Sequence, residues 1–181
     1  MLVLLPWSVG AGAGEPLPHT LAVQVLQGRQ RVPGAFVEEV STRIGAEIER
    51  RPCTRAVVGI DETPEILLRV ILDDALEETR YALSIGDRAQ LRDPEADLAS
   101  VSTFEIRWQA EIALYPGGAT IRSRLSRAKA ERRPAFRGED AAALARSDAA
   151  LKIAKAVRGF LCDDARKRIQ RELRAAPPKE E

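Results

Sequence analysis

A single histidine, two cysteines and a sparse set of aromatic rings leave this 181-residue chain short of the side chains that most catalysis and most ligand stacking use. With His19 alone, a structural zinc site would need unusual ligands, and Cys53 and Cys162 are too far apart in sequence for a CxxC redox or metal motif. Neither a metal nor a cofactor is expected. His19 stands between Pro18 and Thr20 with no serine or cysteine placed to make it a general base, so it reads as a surface histidine. Aromatics at 4% offer little for stacking bases or sugars. The 28 basic and 27 acidic side chains sum to +1, which gives no overall field to recruit nucleic acid. Nucleic acid is therefore not an expected partner. No stretch reaches the roughly 18 to 20 uninterrupted apolar residues of a membrane-spanning helix, and no phosphate loop or dinucleotide fingerprint occurs, since Gly10, Gly12 and Gly14 follow no strand.

What the chain does have is an ordinary globular balance, 45% hydrophobic and 30% charged, at a length suited to one domain. Its start is apolar from Leu2 to Val9, and Ala11-Gly12-Ala13 supplies the small-x-small pattern of a signal-peptidase site, although the basic n-region is missing. The expectation is a signal segment over 1–13, one α+β domain over 14–176 and a disordered tail over 177–181, in a periplasmic or secreted protein. An apolar N-terminal arm of a cytosolic protein is the alternative. Cys53 and Cys162 fit one disulfide in an oxidising compartment, or two buried thiols in a reducing one.

Along the chain, Thr20–Leu26 reads as a strand ended by Gly28. Phe36, Val40, Ile44 and Ile48, four apart, then predict an amphipathic helix that opens at Pro33-Gly34 and stops near Pro52. Ala56–Val58 suggests a connecting strand, and Ile66–Leu72, apolar on both faces except for Arg69, a central one. Asp73, Asp74, Glu77 and Glu78 read as a solvated loop before a strand over Thr79–Ile85, with a second loop over Gly86–Ser100. Phe104, Ile106, Trp108, Ala110, Ile112 and Leu114 alternate strictly with polar partners, and Pro116-Gly117-Gly118 is a turn signal. Beyond the turn, Ile121, Ser123 and Leu125 are expected to face inward and Arg122 and Arg124 outward, completing a long antiparallel hairpin. From Glu139 to about Leu173 the chain lacks proline and carries a stripe of Ala150, Ala154, Val157, Leu161 and Ala165, flanked by Leu144, Leu151 and Ile169. The predicted fold is α+β: an antiparallel or mixed sheet of about four to five strands with two amphipathic helices on one face.

Two charged groups are candidates for function. The four carboxylates from Asp73 to Glu78 would serve a small hydrolase or transferase. Arg122, Arg124, Arg127, Lys129, Arg132 and Arg133 form the best basic run, joined by Arg166, Lys167 and Arg168, and would meet phosphates of lipid or nucleic acid if strand and helix bring them together. The bland reading of each is a solvated surface.

The Leu21-Ala22-Val23-Gln24-Val25 strand before an amphipathic helix, the hairpin turning at Pro116-Gly117-Gly118 and the closing Ala-rich helix from Ala141 together resemble a group of bacterial envelope proteins. The group comprises curli-secretion lipoproteins, the N-terminal domain of the Tol-system propeller protein and lipopolysaccharide-assembly lipoproteins. The resemblance implies a non-catalytic periplasmic accessory that binds another envelope protein or lipid. Those lipoproteins carry a cysteine directly after the signal; here no cysteine precedes Cys53, so a lipid anchor is unsupported.

Overall fold

The computed structural model describes residues 17–29, 32–81, 100–116, 118–135 and 139–175. The signal segment expected over 1–13 and the tail expected over 177–181 lie outside these residues, as does the loop expected over Gly86–Ser100 apart from Ser100 itself. Strands β1 (Leu17–Gln27), β2 (Thr54–Val57), β3 (Ile66–Tyr81), β4 (Ser100–Leu114) and β5 (Thr120–Arg132) form one sheet in the order β2-β1-β3-β4-β5. Helices α1 (Gly34–Arg50), α2 (Ala141–Gly159) and α3 (Arg166–Ala175) complete the α+β architecture.

The sheet is mixed because α1 carries the chain from β1 across to a parallel β2, and the chain then returns to place β3 parallel on the other side of β1. Only β3, β4 and β5 are antiparallel. Interior strands flanked on both sides need apolar residues, and β3 supplies Ile66, Leu67, Leu68, Val70 and Leu72, all buried. The end of β1 closes tightly on β3: the Gly28 amide donates to the Leu72 carbonyl at 2.7 Å, and a Cβ at Gly28 would sit 2.9 Å from the Asp73 Cβ.

Both long helices pack on the same face. The four-residue spacing of Phe36, Val40, Ile44 and Ile48 turns them all inward on α1, and Phe36 meets Phe104 of β4 at 4.9 Å between ring centroids. Along α2 the inward residues Ala145, Ala149, Ala150 and Ala154 are small, so the helix lies close over β4 and β5, with Asp140 capping its start by accepting from the Ala143 amide. Phe104, Ile106, Trp108, Ala110 and Ile112 point into this layer.

The closing helix is broken where the sequence offers only Gly159 as a signal. A π-helical turn, Phe160–Asp164, separates α2 from α3, and it keeps Phe160, Leu161 and Cys162 buried while re-phasing Ala165 and Ile169 onto the core. Leu144, expected to flank the buried stripe, is exposed at the start of α2. Cys162 in the π turn is bonded to Cys53, which lies between α1 and β2, with Cα atoms 5.5 Å apart.

Two strand expectations change. The acidic stretch is no loop: β3 runs through it, bulged between Asp73 and Leu76, where Asp74 adopts φ 54. In β5 the alternation is shifted by one residue. Ile121 is the extra residue of a bulge opposite Ile112/Ala113, so Leu125 pairs with Gln109 on the helix-free face and is 75% exposed, while Arg122 and Arg124 fall opposite Ile112 and Ala110 on the helix side.

The sheet's outer edges differ. β2 offers only four residues, and on the thirteen-residue β5 the Lys152 ammonium of α2 reaches over to the Lys129 carbonyl at 2.6 Å.

Candidate functional site

Register decides what is displayed by the face that, among the described residues, carries no helix. Side chains directly opposite one another in neighbouring strands share a face, so paired positions assemble into rows across the sheet. Near one end Ala22, Leu67 and Ala113 form a buried row. Two rows further on, Leu26, Ile71, Gln109 and Leu125 line up across β1, β3, β4 and β5. Leu26 and Leu125 are exposed, and Ile71 is half-buried.

This apolar bar has charged neighbours on both sides. Arg69 and Glu111 oppose each other in the row above, and Asp73, Arg107 and Arg127 occupy the row below. Past the bulge, Leu76 is 60% exposed among Glu78, Arg80, Thr103, Glu105, Lys129 and Glu131, which line a shallow depression with it. Ion pairs stitch the charges together: Arg107 to Asp74 at 3.0 Å, Arg127 to Glu105 at 3.5 Å, Arg80 to Glu78 at 2.7 Å and Lys129 to Glu131 at 2.9 Å. Hydrogen bonding to Arg80 lowers the Glu78 carboxyl below its ordinary pKa, and Lys129 does the same to Glu131. Leucines exposed within such a lattice give a surface with apolar anchors and a polar surround.

The four carboxylates weighed for hydrolysis are dispersed by the strand that carries them. Asp74 pairs with Arg107; Asp73 accepts from the Asp74 amide at 3.0 Å; Glu77 turns to the helix side and takes Arg146 of α2 at 2.7 Å; Glu78 holds Arg80 on the opposite face. They converge on no common point where a substrate atom or metal would sit, and among the described residues no cluster of three or more potential metal ligands occurs.

The basic run is divided in the same way. Arg127 and Lys129 lie on the helix-free face in the pairs just given. Arg132 is on the helix side, bonded to Asp148 of α2, whose carboxyl this hydrogen bond lowers; Arg124 reaches Asp164 of the π turn at 3.2 Å; and Arg133 is exposed beyond the strand's end. Arg122 joins a residue of the second basic group, Arg168, in lining a depression at the rim where β5 begins. His19 at the start of β1 pairs with Glu65, 3.2 Å from its Nδ1.

Sequence reasoning missed the apolar bar, because Leu125 reads as core until the bulge at Ile121 is known. The signal available was Leu76, an isolated leucine between acids.

No family model matches the chain, and no curated protein matches it in sequence. Its fold is shared with solved structures at low identity. A Xanthomonas campestris protein of the DUF330 family superposes with a TM-score of 0.60 at 13% identity, over 90% of this chain and 95% of that one. A minor lipoprotein from Acinetobacter baumannii superposes with a TM-score of 0.50 at 6% identity, over 83% and 95%. A Helicobacter pylori protein described as a neuraminyllactose-binding hemagglutinin homologue gives 0.51 at 12%, over 91% and 97%. The fold is thus shared with these bacterial proteins, a lipoprotein among them.

Proposed function

We propose that this chain is a non-catalytic periplasmic accessory protein that works by binding another component of a cell-envelope assembly. The observation that carries the reading is the apolar bar of Leu26, Ile71 and Leu125, set in a lattice of paired charges on the face opposite the described helices. Burying exposed leucine is worth about 25 cal/mol per Å² of apolar surface removed from water, and fixed ion pairs around it set the register of a partner more than its affinity. The periplasmic part draws support from the apolar leader, from the Cys53–Cys162 bridge and from the fold's occurrence in a lipoprotein.

Site-specific photo-crosslinking in intact cells tests it. A photoreactive residue at Leu125 or Leu76 should give a discrete crosslinked species in the envelope fraction, and one at Lys155, on the exposed side of α2, should not. Crosslinks of equal yield from all three positions, or recovery of the protein in the cytosol with free thiols, would refute the reading.

A further inference from the structure

Arg168 of the second basic group meets Arg122 of the first at the rim between the start of β5 and α3. There Arg122 and Arg168 line a depression of about 500 Å³ together with Thr120, Ile121 and Ser123. The β5 bulge makes this possible: by inserting Ile121 it turns Arg122 to the side where α3 lies. Buried Ile169 anchors α3 to the core, which leaves Arg168 beside it in solvent.

The charge at this rim is uncompensated. Asp164, one turn before Arg168 on the chain, is taken by Arg124 at 3.2 Å, and no ion pair joins Arg168 to Glu172 one turn after it. Among the described residues neither the Arg122 nor the Arg168 guanidinium has an ion-pair or hydrogen-bond partner. Lys167, Arg171 and Arg174 on the same ten-residue helix, against Glu172 as its one acid, raise the local positive potential further. Two guanidinium forks at one rim present donors from several directions, which suits the tetrahedral oxygens of a phosphate better than a planar carboxylate.

We infer that the rim formed by Thr120, Arg122, Ser123 and Arg168 is a binding site for a phosphate group, presented either by a lipid headgroup or by a soluble phosphate. The inference stands apart from the helix-free face, since it uses residues at the sheet's rim and on α3.

The test is titration of the isotope-labelled folded protein with inorganic phosphate at low ionic strength, followed by amide and arginine side-chain NMR, with cosedimentation on phosphatidylglycerol and on phosphatidylcholine vesicles in parallel. Saturable shifts confined to Thr120–Ser123 and α3 are expected. Arg122→Gln with Arg168→Gln should weaken binding about tenfold or more, the loss expected when charged hydrogen-bond donors are removed. Arg127→Gln with Lys129→Gln, on the opposite face, should leave it unchanged. Cosedimentation with the phosphatidylglycerol vesicles alone, lost in the first variant, assigns the phosphate to a lipid; saturable phosphate binding without cosedimentation assigns it to a soluble ligand. Shifts that never saturate, or equal losses in both double variants, would overturn the site. Both variants alter exposed side chains, and unchanged circular dichroism verifies that each is folded.

Discussion

Replacing Cys53 and Cys162 together by alanine removes the one covalent tie between the far end of α1 and the π turn. The bridged residues are 109 positions apart. For a closed loop of that length the chain-entropy relation gives a loss of about 16 cal/mol/K in the unfolded ensemble, or about 4.8 kcal/mol at 25 °C, as a ceiling, with about 2–4 kcal/mol usually realised. A domain of this size typically holds about 5–15 kcal/mol in total, so the bridge supplies a large share. At about 2–4 °C per kcal/mol for chains of 150 residues or more, the alanine pair should melt roughly 4–16 °C below the oxidised protein. The assay is urea unfolding of both forms by circular dichroism. Because the cross-link also keeps the unfolded chain compact, its removal should steepen the dependence on urea as well as lower the midpoint. Midpoints that agree within about 0.5 kcal/mol of stability, a margin typical of inconsequential substitutions, would refute the assignment of stability to this tie.

Other substitutions probe the fold from different sides. Trp108→Ala, in the layer under the helices, should cost about 3–5 kcal/mol by chemical denaturation, and a cost below about 1 kcal/mol would contradict its burial. Leu125→Lys should shift stability by no more than about 0.5 kcal/mol while abolishing the crosslinks proposed for that face; strong destabilisation would mean the strand is turned the other way. Thr63 is exposed and held at φ 51, a left-handed conformation that penalises a β-branched residue, so Thr63→Gly should stabilise by up to about 1 kcal/mol in the same assay. The hydrogen bond from Arg132 holds the Asp148 carboxyl below its usual range. A depressed folded-state pKa adds stability above the ordinary carboxylate value near about 4, and that stability is lost as pH falls through the folded value. Asp148→Asn should therefore flatten part of the decline in urea midpoint between neutral and acidic pH, and an unchanged pH profile would rule the pair out as a contributor.

Much of the architecture was legible because it rests on periodicity. Four-residue spacing set α1 to within a residue or two, and strict alternation from Phe104 to Ile112 gave the buried face of β4. What escaped were the places where the period is interrupted without a decisive marker residue. No proline or glycine announces the bulge at Ile121, yet it exchanges the two faces of β5, moving Leu125 from core to surface and Arg122 toward α3. The bulge at Asp74 likewise lets a strand continue through carboxylates whose composition reads as loop. The π turn at Phe160–Asp164 follows Gly159, a lone glycine that helical periodicity reads straight through, and what decides there is the packing of Phe160 and the position of Cys162. Parallel pairing of β1 with both neighbours was equally invisible, since neither strand's own pattern names its partner. The candidate sites suffered most, because a row across four strands and a rim between strand and helix exist only once register is fixed.

The lysine that reaches from α2 to the edge of β5 bears on how the protein behaves when crowded. An open sheet ends in backbone groups that another strand can join, and thirteen residues of such an edge amount to a standing invitation to polymerise. Here the carbonyl of Lys129, fourth from the end of that edge, is already occupied by the Lys152 ammonium, and an arriving strand would have to displace it while meeting the positive charge head on. The opposite edge is too short at four residues to template much. Both edges of the described sheet are thus guarded from within a single chain, and the molecule is left to associate through its side chains rather than through its backbone.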